Sequence, residues 1–159
     1  MDTRQRIAAG ALIVSLAGVA GIAGWEGYTD RAIIPIPGDV PTIGHGTTVY
    51  PDGTPVKLGD KTTRKQAVEF MRHDLDVFEQ GVRRCVKVPL TQNEYDAYVS
   101  LTYNIGVGAF CGSTLLRILN TGNYSAACAQ ISRWNRAQGK VVNGLTNRRE
   151  AERKTCETP

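Results

Sequence analysis

Glu26, Asp39 and Thr42 lie in one stretch, GWEGYTDRAIIPIPGDVPTIGHGTT, covering residues 24–48. Splitting a glycosidic bond takes a proton donor for the leaving oxygen and a second group that handles water or the developing positive charge. In most such sites both are carboxyl groups, and a separation of roughly 6.5–9.5 Å leaves room for water and inverts the sugar. A Glu on a helix and an Asp on a facing hairpin can supply that geometry. Asp30 is the other nearby acid. Four residues from Glu26, it falls within about one helical turn and is too local to face it across a bond. With two histidines and no HExxH pattern, no catalytic metal and no cofactor are expected. His45, flanked by glycines, is expected to make a structural hydrogen bond, and His73 to be solvated.

These residues need elements to hold them. Ile7–Gly24 is an uncharged 18-residue run containing four Gly and six Ala but only seven larger aliphatics, preceded by Arg4 and Arg6. About 20 apolar residues span a bilayer, so this run is of marginal length and should insert weakly, with the arginines on the cytoplasmic side. A cleaved signal, a permanent anchor and a weak anchor that slips out all fit. Cleavage after the Ala-rich end would leave Glu26 at a frayed terminus. Downstream, Pro41–Tyr50 and Thr54–Leu58 around Pro51-Asp52-Gly53 read as a hairpin. Thr63 with Gln66 caps a helix running to about Arg84, and Thr91 with Glu94 caps another that ends at Gly106. Ser113 caps a short helix. Ser125–Asn135 reads as a further one with Trp134 inward, and Thr146 caps the last, Asn147–Cys156. Trp134, Tyr103 and Phe110 are expected in the core. The fold class is α+β: a small β-hairpin lobe plus a helical lobe, preceded by an apolar N-terminal helix.

The net charge of +4 and pI near 9.0 favour acidic partners, but no nucleic-acid motif is present. Cys85, Cys111, Cys128 and Cys156 form an even set beyond the apolar run, which suggests disulfides rather than a metal site. Of three possible pairings, Cys85–Cys111 with Cys128–Cys156 is favoured.

Glu26-Gly27 followed by Pro41-Thr42-Ile43-Gly44-His45-Gly46 resembles the active-site signature of the phage-type lysozymes, glycoside hydrolase family 24. So do Tyr103-Asn104-Ile105-Gly106, Ala109-Phe110, Ser113-Thr114-Leu115-Leu116, Trp134 and Gly144-Leu145-Thr146-Asn147-Arg148-Arg149. The likeness covers about residues 25–156, and the Gly/Ala-rich N-terminus narrows it to signal-anchor-release endolysins of phages infecting Gram-negative bacteria. The family spaces its catalytic residues Glu-x8-Asp-x5-Thr. Here the ninth residue after Glu26 is Pro35, and Thr42 comes one residue late, so the resemblance carries over to Asp39 rather than Asp30.

What the resemblance implies is a lysozyme-like fold with a cleft, and a muramidase domain at residues 25–159 behind a signal-anchor segment at 1–24. It implies hydrolysis of the β-1,4 bond between N-acetylmuramic acid and N-acetylglucosamine of peptidoglycan. Glu26 would be the proton donor, Asp39 and Thr42 would place the water, and Tyr103 and Asn104 would line the sugar groove. Arg148 and Arg149, read at a helix start, would be structural or wall-contacting. A monomer exported by the host Sec machinery is implied, held in the inner membrane by residues 7–24 and then released to the periplasm. With no cysteine before Cys85, activation would proceed by refolding of that segment. An anchored host wall-remodelling glycosidase and a non-catalytic wall-binding protein are the competing readings.

Overall fold

The structure, a computed structural model, describes residues 4–159. The chain divides into two compact units. One is a helical unit of Val77–Pro159 together with the chain up to Ser15, and the other is a hairpin unit of Leu16–Asp76.

In the hairpin unit, α1 (Leu16–Glu26) leads into β1 (Thr29–Ile33), which pairs antiparallel with β2 (Thr42–Gly44). Thr29 lies opposite Gly44 and Ile33 opposite Thr42, with an irregularity between. β2 therefore pairs backward with β1. The expected pairing of 41–50 with 54–58 reduces to one bridge, Val49 to Pro55, beside the Pro51-Asp52-Gly53 turn, where Asp52 accepts from the Thr54 amide at 2.9 Å. Ala32, Ile43 and Val56 form a small core with Tyr50 against it. Burial and the hydrogen bond to Asp60 push the Tyr50 hydroxyl up to about 12. Gly44 has φ +65°, and a Cβ there would meet Ala67 Cβ at 2.8 Å. Glycine is thus required where β2 crosses α2 (Arg64–Cys85). The Thr63–Gln66 box forms at the start of α2, with amide-to-side-chain bonds of 3.1 and 3.3 Å.

The helical unit contains α3 (Gln92–Ile105), α4 (Val107–Cys111), α5 (Thr114–Leu119), α6 (Tyr124–Gln130) and α7 (Asn143–Glu157). A small β3–β4 hairpin (Arg136–Ala137 with Lys140–Val141) also belongs to it. The Thr91–Glu94 capping box opens α3, and Ser113 caps α5, both as the sequence predicts. Cys85 is bonded to Cys111 and Cys128 to Cys156, the favoured pairing. Phe110 is fully buried, whereas Tyr103 and Trp134 are only partly so.

Two boundaries differ from expectation. α6 starts earlier, capped by Asn123 rather than Ser125, and ends at Gln130 before a 3-10 turn at Ile131–Arg133. α7 starts at Asn143, so Thr146 lies inside it and bonds the Val142 carbonyl at 3.2 Å. Arg148 and Arg149 consequently stand within the helix, buried, not at its start. Glu152 answers both: it lies 3.1 Å from Arg148 Nε and 3.1 Å from Arg149 Nε, and accepts from Ser100 at 2.6 Å.

The largest departure is the apolar run. It is not one helix: residues 4–15 form a strap on the helical unit, and α1 begins only at Leu16. Among the described residues no helix is long and apolar enough to cross a membrane. At 11 residues, α1 is about 16 Å long against a hydrocarbon core of about 30 Å. Polar groups explain the break. Ile7 and Leu90 exchange backbone hydrogen bonds of 2.9 and 2.8 Å. Arg6 reaches Glu94 at 2.7 Å and lies 3.6 Å over the Tyr124 ring. The Val14 amide donates to Glu79 at 2.6 Å, and the Ser15 amide to Asp96 at 3.0 Å. Arg83 donates to the Leu12 carbonyl at 2.8 Å. These partners satisfy backbone groups in a non-helical path while Ala9, Leu12 and Val14 are buried.

Candidate active site

Glu26 is the last residue of α1, and its side chain lies on the exposed surface of the hairpin unit. Gly27 follows at φ +76°, the left-handed conformation that ends helices. The Gly27 carbonyl accepts a hydrogen bond from His45 Nδ1, the structural role expected of His45. The acceptor is a carbonyl, so Nδ1 carries the proton. The His45 ring is 92% removed from solvent and stands 5.5 Å from the Tyr28 ring, over which the Arg64 guanidinium lies at 4.4 Å. With Gly27, these three residues line a cavity of about 400 Å³.

Thr42 is the first residue of β2 and is half-buried. Asp39 occupies the turn just before it. Its amide bonds the Ile36 carbonyl at 3.0 Å across Pro37-Gly38, and its carboxylate accepts the Val40 amide at 2.8 Å. Every residue from Ile33 to Val40 is exposed. Asp30 is not a helical neighbour of Glu26, because the helix stops at Glu26 and Asp30 lies in β1. Glu26, Asp39 and Thr42 thus share one compact unit, on a helix end, a turn and a strand start.

Further along β2's exit, Thr47 donates to Asp74 at 2.7 Å, and burial raises the Asp74 carboxyl above the ordinary aspartate range. Among the described residues no group of three or more His, Cys, Asp or Glu could hold a metal ion.

Tyr103 and Asn104 belong to the helical unit, in the last turn of α3. Tyr103 packs edge-on to Phe78 at 4.9 Å, and Asn104 Oδ1 accepts from Arg149 at 2.8 Å. Sequence reasoning missed the carboxylates that receive the strap, Glu79 and Asp96, and the Tyr28–Arg64 pair. The signal for the first was available: both acids fall on otherwise core-directed helix positions, where an acid needs a partner.

A helical unit tied by two disulfides, with a second unit that joins α1 and the first part of α2 to a short antiparallel hairpin, is a lysozyme-like α+β fold. The chain belongs to the phage lysozyme family, whose pattern matches residues 23–152. It is 41% identical over 140 residues to the endolysin of Bacillus phage PZA, covering 87% of this chain and 53% of that one. The chain therefore spans about half the length of that relative. The SAR-endolysin of Enterobacteria phage P21 is 34% identical over 152 residues, covering 94% and 90% of the two chains. Among solved structures, a mutant of phage P22 lysozyme superposes with a TM-score of 0.85 at 36% identity, covering 92% of this chain and 99% of that one.

Proposed function

We propose that this protein is a peptidoglycan muramidase that cuts the β-1,4 bond between N-acetylmuramic acid and N-acetylglucosamine during host lysis. The observation that carries the reading is that Glu26, Asp39 and Thr42 belong to one compact unit, the acid at a helix end stopped by Gly27. In this reading Glu26 donates its proton to the leaving glycosidic oxygen. Asp39 and Thr42 hold the attacking water on the opposite face, and the Asp39 carboxylate takes its proton as the new C–O bond forms and the glycosidic bond breaks, which inverts the anomeric carbon. Tyr103 and Asn104 contact the sugar chain. The membership in the phage lysozyme family and the names of the relatives support this assignment.

A membrane stage is part of the proposal. Residues 1–24 serve as a signal-anchor segment and 25–159 as the muramidase domain. The monomer leaves the cytoplasm by the host Sec machinery, is held in the inner membrane by residues 7–24, and acts in the periplasm after release. The uncharged run behind two arginines and the likeness to a SAR-endolysin support it. Arg6 then has two roles, a cytoplasmic charge before release and the partner of Glu94 afterwards.

Turbidity loss of chloroform-treated Gram-negative cells, comparing the protein with Glu26→Gln, tests the enzyme. Loss of activity in a folded Glu26→Gln protein is expected, and full activity would overturn the reading. No clearing by the unaltered protein that nonetheless sediments with walls would mean a wall-binding protein. Persistence in the membrane fraction after depolarisation would mean a permanently anchored glycosidase.

A further inference from the structure

We propose that His45 is a positioning residue for Glu26, acting through the carbonyl of Gly27; the inference rests on Glu26 being the proton donor. The last carbonyls of a helix lack partners within it, and helix ends fray. Glu26 stands at such an end, on an exposed surface where burial does not fix its side chain. The residue after it, Gly27, has the freest backbone available and so offers no stiffness of its own. One tie at this point is the hydrogen bond from His45 Nδ1 to the Gly27 carbonyl.

The grip comes from a fixed strand. Ile43 is fully buried, Gly44 lies too close to Ala67 to admit a Cβ, and Thr47 is tied to Asp74 at 2.7 Å. His45, buried, comes directly after Gly44 with its ring 5.5 Å from that of Tyr28, itself covered by Arg64. The same strand starts with Thr42 and follows the turn of Asp39. One imidazole therefore joins the helix end that carries the acid to the strand that opens with the proposed water-holding threonine. Protonation of the ring adds a proton at Nε2 and leaves the Nδ1 donor in place, so the tie does not depend on the ring's charge. Misplacement of a catalytic group by about 1 Å can cost on the order of 100-fold in rate without loss of substrate binding.

The test is steady-state hydrolysis of a soluble glycan fragment by His45→Leu, His45→Asn and His45→Gln, with thermal unfolding of each. An Asn amide nitrogen stands at the position of Nδ1, whereas a Gln amide nitrogen stands nearer Nε2. His45→Leu should lower kcat by about 10–100-fold with KM within about threefold. His45→Asn should recover kcat to within about threefold of the unaltered protein, and His45→Gln should not. A folded His45→Leu protein with kcat within about threefold overturns the inference. So does a His45→Asn protein no faster than His45→Leu at equal folded fraction, which would leave His45 a packing residue only. Glu26→Gln in the same assay separates the two levels: if it is fully active, the assignment of Glu26 fails; if it is inactive while His45→Leu is unimpaired, only the positioning role fails.

Discussion

The helical unit and the hairpin unit solve opposite problems. The helical unit holds both disulfides, buries the Arg148–Arg149–Glu152 cluster, and carries thirteen of the nineteen Lys and Arg residues against seven of the fifteen acids. The hairpin unit has no cysteine and carries eight acids against six bases, and its strands close on a small cluster of Ala32, Ile43 and Val56 with Tyr50 beside it. All three proposed catalytic residues lie in the second. The two disulfides and the Arg148–Arg149–Glu152 cluster thus belong to one unit and the residues proposed to react to the other. The excess of positive charge sits in the helical unit, which favours an acidic partner there.

This contrast can be broken or sharpened by substitutions that move activity and stability separately. The largest effect is expected from Asp39→Asn, which should lower the proposed muramidase activity by about 10²–10⁴-fold while unfolding at the same temperature, since Asp39 is an exposed turn residue. Full activity in that variant would take the second carboxyl role away from Asp39. Glu152→Leu should do the reverse. It leaves two buried guanidinium groups facing no carboxylate and should cost about 3–5 kcal/mol in urea unfolding. A cost below about 1 kcal/mol would mean the cluster is already solvated. Next comes the double change Cys128→Ser with Cys156→Ser. With a sequence separation of 28 residues, the lost cross-link should cost about 3.5 kcal/mol on the chain-entropy account. Amide hydrogen exchange should then accelerate in α6 and α7 before it does in β1 and β2, and uniform acceleration would deny the two units separate stabilities.

The smallest effect is one of pH. Asp74 holds its proton more tightly folded than unfolded, so its contribution to stability is complete below the ordinary aspartate range and is lost as pH rises through its raised value. Asp74→Asn removes that loss. Its urea midpoint relative to the unaltered protein should therefore rise from about pH 4 to about pH 7. A constant difference would show that the carboxyl titrates alike in both states.

Much of the helical framework was legible because its signals are local. The Thr63–Gln66 and Thr91–Glu94 boxes each close within four residues, and Ser113 caps its own helix, so the sequence window contained the whole cause. Thr146 misled because a threonine inside a helix bonds back to the preceding turn as readily as it caps a start. Trp134 misled because helical spacing was extended past Gln130, where the chain tightens into a 3-10 turn. The start of α1 was illegible for a different reason: it is set by Glu79 and Asp96, which are 65 and 81 positions away from the amides they receive. For the proposed site, residue types nominated Glu26 and Asp39, but the His45 tie to Gly27 spans 18 positions and depends on how β2 pairs.

The strap has a consequence for any protease that trims this protein. Removing the chain up to Ser15 would take away Arg6, the Val14 amide and the Ser15 hydroxyl together. Three carboxylates would then be left under-satisfied on α2 and α3, and Leu90 would lose its backbone mate. A trimmed product would be a wounded molecule rather than a ripened one, because a segment woven into the body of a protein cannot be shed like a wrapper.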